Sequence, residues 1–103
     1  MLFRSATNCI VSPGFVDGHH HMWQQLLRSV ATDWTLADYM ATIRRVYGST
    51  FTPEDVYSAN LVASLDLIAN GVTTVVDHCH ILNSPAHTDA AIKALKDSGI
   101  RGT

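Results

Sequence analysis

Val72-Thr73-Thr74-Val75-Val76, five β-branched residues in a row behind Gly71, narrows the fold more than any other feature of this chain. A continuous run of this kind, without polar alternation, is the pattern of a strand buried on both faces of a parallel sheet. Parallel strands need long crossovers, usually helical. The sequence places a helix on each side. Upstream, Thr52-Pro53-Glu54-Asp55 announces one: the threonine caps, proline occupies the first turn, and two acids meet the positive end of the dipole. Val56, Ala59, Ala63 and Leu67, with Leu61, Leu65 and Ile68, make that helix apolar over a wide face, and Gly71 ends it. Downstream, a helix runs from Pro85 or His87 to Ser98, with Ala91, Ile92 and Leu95 inward and Gly99 closing it.

Earlier in the chain, Pro13-Gly14 introduces a buried strand over residues 15 to 20. Residues 22 to 34 form a mixed connection anchored by Trp23, Leu26, Leu27 and Trp34. Thr35 with Asp38 three positions on resembles a capping box. Leu36, Tyr39, Met40, Ile43, Val46 and Tyr47 then follow at helical spacing up to Gly48. Ile100 to Thr103 begins a third strand. Strand, helices, strand, helix, strand is the order of βαβ units with right-handed crossovers, so the fold class is α/β with a parallel sheet.

Composition excludes several functions. Net charge is −2, which offers nothing to nucleic acid or anionic lipid. No apolar run reaches the roughly 18 residues of a membrane span, and residues 1 to 12 lack a secretory core, so a cytoplasmic protein is expected. Apolar residues make up 47% and charged ones 16%, an apolar excess expected of a piece of a larger core. Cys9 and Cys79 read as small buried thiols rather than a disulfide. Cys79, between two histidines, is also a minor ligand candidate.

The chemistry gathers in Asp17-Gly18-His19-His20-His21. Strand alternation projects His19 and His21 to one face and His20 to the other. Two imidazoles at a strand tip can grip one divalent cation. Asp17 shares their face, one step deeper, and is expected to orient an imidazole tautomer. Asp77, His78 and His80 follow the second strand. Carboxyl ends of parallel strands share one rim, so both clusters meet there. His78 and His80 are read as lining the pocket, with completion of the metal site as the less favoured role. His20 is read as structural, and His87 as solvated or capping.

Pro13, Gly14, Asp17, His19 and His21 together resemble the motif that closes the first barrel strand in the amidohydrolase superfamily, and Gly71 to Asp77 resembles its second strand. Trp23-Gln24 and Leu27-Arg28 are similar to the branch acting on amino-substituted heterocycles, near cytosine, guanine and triazine hydrolases. The resemblance implies a (β/α)₈ barrel, of which the chain would hold the first two to three βα units. Residues 1–12 would be the remnant of a β-sandwich and 13–103 the N-terminal portion of the barrel. A complete barrel takes about 250 residues, so an N-terminal fragment or a shortened relative is expected. It further implies zinc or iron on His19 and His21, and hydrolysis of a C–N bond in a small heterocyclic substrate contacted by Gln24, Trp23, His78 and His80. Later strands would carry the remaining ligands and the proton shuttle, so no catalytic acid or base is assigned. A non-catalytic or self-assembling metal-binding module is the alternative. Open sheet edges would favour self-association in either case.

Overall fold

The computed structural model describes residues 4–103; the first three residues of the 1–12 segment, Phe3 among them, lie outside it. Strands β1 (Phe15–His20), β2 (Val72–Asp77) and β3 (Arg101–Gly102) form one parallel sheet in the order β1-β2-β3. A 3-10 helix (Met22–Leu27), α1 (Leu36–Tyr39), a π-helical stretch (Met40–Tyr47), α2 (Gly48–Thr50) and α3 (Pro53–Ala69) connect β1 to β2. Helix α4 (Pro85–Ser98) connects β2 to β3. The α/β class read from the punctuation is the class observed. Among the described residues, no helix is long and apolar enough to cross a membrane.

The caps explain why the helices start where they do. Thr35 and Thr52 each accept the amide of the aspartate three residues on, while that aspartate accepts the threonine's own amide. Each reciprocal pair satisfies two backbone donors that a helix start leaves open. At the other end of α4, Gly99 takes φ +79°, which lets its amide reach the Leu95 and Lys96 carbonyls. His87 is buried rather than solvated. Its Nε2 donates to the Phe51 carbonyl at 2.9 Å, leaving Nδ1 to accept the Ser84 hydroxyl at 2.7 Å. The ring thus ties the first turn of α4 to the residue preceding the cap of α3.

Several expected faces are placed differently. Between α1 and α2 only Ile43 is buried among the apolar residues at helical spacing; Leu36, Met40, Val46 and Tyr47 are exposed. The stretch is π-helical, and its wider i→i+5 turn no longer stacks residues three and four apart. On α3, Val56, Ala59 and Ala63 face inward, while Leu65 and Ile68 face out. On α4, Ala94 is buried and Ile92 exposed. In β2 only Val75 is fully buried, and β1, with β2 as its sole neighbour among the described residues, exposes Phe15 and Val16. Cys9 is exposed and Cys79 half-buried.

Two apolar clusters hold the layers together. One contains Trp23, Ile43, Val56, Ile81 and Ala91; the other contains Met22, Ala63, Val75 and Ile100. Met22 and Trp23 are adjacent in sequence and fully buried, one in each cluster. They therefore peg the chain to both cores immediately after His21. The approach of β1 to β2 is equally tight. A Cβ on Gly14 would stand 2.8 Å from the Cβ of Thr73, a stiff β-branched residue that cannot swing aside. Gly14→Ala is expected to destabilise the fold by about 1–3 kcal/mol, the usual cost of overpacking. Urea denaturation checks this, and an unchanged midpoint would mean that β1 is free to slide along β2.

Candidate metal centre

The rim is shaped by a break in the pairing of β1 with β2. Asp17 pairs with Val75 and His20 with Asp77, so β1 spends three residues where β2 spends two. One extra residue shifts the side-chain alternation by one. Asp17 consequently faces His20. Its Oδ2 lies 2.8 Å from His20 Nδ1, while Oδ1 accepts the His19 amide at 3.1 Å. The His19 amide, and with it His20, hold the Asp17 carboxyl below its usual range. The expectation that Asp17 shares the face of His19 and His21 is corrected by this bulge: the imidazole it orients is that of His20.

His19 and His21 do come together, with ring centroids 5.0 Å apart and planes at 85°. His21 Nδ1 lies 2.8 Å from the His78 carbonyl oxygen. A carbonyl can only accept, so Nδ1 donates, and in the neutral ring the lone pair is on Nε2. That is the tautomer a metal-binding imidazole needs, with its second nitrogen bonded to a backbone acceptor. The His78 ring stacks on His19 at 4.0 Å and 18°. His80 sits 4.2 Å from His21 and edge-on to Trp23 at 6.5 Å. Its Nδ1 is buried and meets no hydrogen-bond partner among the described residues. Burial first, then Arg44 and the neighbouring imidazoles, push its pKa down to about 4, so it stays neutral at neutral pH.

Asp77 closes the floor. Its Oδ1 accepts the Met22 amide at 3.1 Å and its Oδ2 accepts Asn60 Nδ2 at 2.9 Å. Burial raises its carboxyl pKa, and these two bonds oppose the rise. Asn60 was not singled out from the sequence. The signal was there: an amide between Ala59 and Ala63 on the apolar face of α3 must have a buried partner.

Trp23, read either as covering the pocket or as filling core, is fully buried and packs edge-on against Phe51 at 5.3 Å. Gln24 lines a surface cleft with His19, His20, His21, Gln25, Arg28 and Asp66. Its amide nitrogen donates to the Tyr39 hydroxyl at 2.5 Å, which leaves its carbonyl oxygen as an acceptor. Cys79 is no ready thiolate, since burial raises its pKa.

The donor set fits a divalent cation only in part. Two imidazoles side by side, one with its ring orientation set by a backbone carbonyl, are a donor pair that suits zinc or iron. Among the described residues, no group of three histidine, cysteine or acidic side chains is arranged to hold a metal ion. His19 and His21 would supply at most two of the four ligands of a tetrahedral site.

A model of the amidohydrolase family matches residues 10–103. Over 97 residues the chain is 34% identical to a 5-methylthioadenosine/S-adenosylhomocysteine deaminase from Symbiobacterium thermophilum, covering 94% of this chain and 21% of the deaminase. It is 38% identical over 69 residues to hydroxydechloroatrazine ethylaminohydrolase from Pseudomonas sp. strain ADP, covering 64% of this chain and 14% of that enzyme. A solved structure of a mutant atrazine chlorohydrolase from Arthrobacter aurescens TC1, complexed with zinc and atraton, matches with a TM-score of 0.76 at 25% identity. That match covers 87% of this chain and 22% of the other. The chain thus spans about a fifth of the length of the deaminase, at 21%. Its three parallel strands correspond to part of a (β/α)₈ barrel.

Proposed function

The chain belongs to the amidohydrolase family, and from that premise we propose that it supplies the His19–His21 half of a divalent-metal site in a hydrolase acting on C–N bonds of amino-substituted heterocycles. The observation that carries this reading is the paired rings of His19 and His21, with the Nε2 of His21 left free by its bond to the His78 carbonyl. The similarity to deaminases and to an ethylaminohydrolase supports the reaction class. Zinc is the favoured cation, with iron second, because neutral imidazole suits both and the matched chlorohydrolase was crystallised with zinc.

When bound, the cation supplies Lewis acidity that activates water as a nucleophile near neutral pH. His19 and His21 would hold it. Gln24 lines the cleft with its nitrogen engaged by Tyr39, which leaves its carbonyl oxygen to accept a hydrogen bond from an amino group on the heterocycle. The exposed His78 ring, stacked on His19, and the neutral His80 beside His21 line the same rim and bear on substrate orientation. No side chain among these is assigned the proton transfer. The cytoplasm is the proposed compartment, which agrees with two cysteines that stay free thiols.

The test is ammonia or amine release from aminated purines, pyrimidines and triazines by the zinc-loaded protein made from its whole reading frame. Release that a chelator abolishes and zinc restores is expected. Stoichiometric zinc without turnover on any of these substrates would overturn the hydrolase in favour of a non-catalytic metal-binding module.

A further inference from the structure

The exit of β1 is gripped residue by residue from the exit of β2. His20 gives its carbonyl to the His78 amide at 2.7 Å, His21 gives its ring proton to the His78 carbonyl, and Met22 gives its amide to the Asp77 carboxylate. Three consecutive residues on one strand end are thus fixed by two on the other. The carboxylate holds its place because Asn60 Nδ2, reaching from α3, occupies its second oxygen. Asn60 is completely buried, and its own Oδ1 meets no partner among the described residues. A half-satisfied amide in an apolar interior is costly to keep.

We propose that Asp77, steadied by Asn60, is the positioning residue that holds His21 in its metal-binding orientation. The proposal rests on the reading of His19 and His21 as metal ligands. Asp77 touches neither metal nor substrate; it acts through the Met22 amide and the adjoining His78 carbonyl. Without it the chain after His21 loses an anchor at the point where the ring must keep Nδ1 on the carbonyl and Nε2 outward. Orienting partners of this kind are commonly worth about 10–100-fold in metal affinity.

The experiment compares Asp77→Ala, Asp77→Asn and Asn60→Ala in the full chain. Three readouts are taken: zinc affinity by competition with a chromophoric chelator, the visible spectrum of the cobalt-loaded protein, and the side-chain ¹⁵N shifts of His21 without metal. Asp77→Ala is expected to weaken zinc by about 10–100-fold, alter the cobalt bands and mix the His21 tautomers. Asp77→Asn keeps an acceptor for Met22 and is expected to recover most of the affinity. Unchanged affinity and an unchanged Nδ1–H tautomer in Asp77→Ala would overturn the proposal. Should that variant fail to fold, Asn60→Ala decides: a looser zinc site supports the assignment, and one identical to the parent rejects it. His21→Ala run alongside separates the two levels. Zinc lost there but kept in Asp77→Ala refutes only the positioning role, whereas zinc kept in His21→Ala refutes the ligand pair itself.

Discussion

His19→Ala and His21→Ala are each expected to empty the protein of zinc after loading and desalting, while His20→Ala retains it. With two nitrogens available, removing either leaves a single imidazole, and the loss should exceed the roughly 10–100-fold typical of changes to orienting partners. His20 stands apart for a structural reason. Its Nδ1 is engaged by the Asp17 carboxylate at 2.8 Å, on the side to which the bulge returns that aspartate. Metal content per chain measures all three variants together. Equal losses would mean that His20 acts with the other two imidazoles in spite of its bond to Asp17.

The second large effect is on folding. Trp23→Ala removes the largest buried side chain of the first apolar cluster and leaves a cavity among Phe51, Ile43, Val56 and Ile81. Truncations of this size cost about 3–5 kcal/mol, against a total stability of about 5–15 kcal/mol for a typical domain. Trp23→Phe should be much milder. It keeps an aromatic ring for the edge-on contact with Phe51 and removes an indole N–H that is buried without a partner among the described residues. Urea denaturation followed by circular dichroism reads both. A Trp23→Ala midpoint equal to that of the parent would mean that Trp23 does not carry the first core.

How legible the fold was follows from the range of each interaction. Thr35 with Asp38, and Thr52 with Pro53 and Asp55, announce helix starts because the partners lie within three residues of one another. Gly99 announces a helix end because its φ of +79° is a local requirement. The β-branched run from Val72 announces a parallel strand because a crossover must follow it. By contrast, Leu65, Ile68 and Ile92 have the same character as their buried neighbours, and only the packing of α3 and α4 decides which of them face out. The π-helical stretch broke a periodicity that looked unambiguous, since the pattern assumes the turn it is meant to reveal.

The site divides in the same way. That His19 and His21 could act as a pair, at the same rim as Asp77, His78 and His80, was determined by the sequence alone, because strand period and parallel direction are local geometry. The tertiary structure decided everything that depends on a second strand. A bulge opposite Val75–Asp77 gave Asp17 to His20, a carbonyl 57 residues away set the proton on His21, and Asn60 reached from α3 to hold Asp77. Such partners are distant in the chain. Their meeting depends on strand register and helix docking, which burial and hydrogen bonding fix only once the layers have packed.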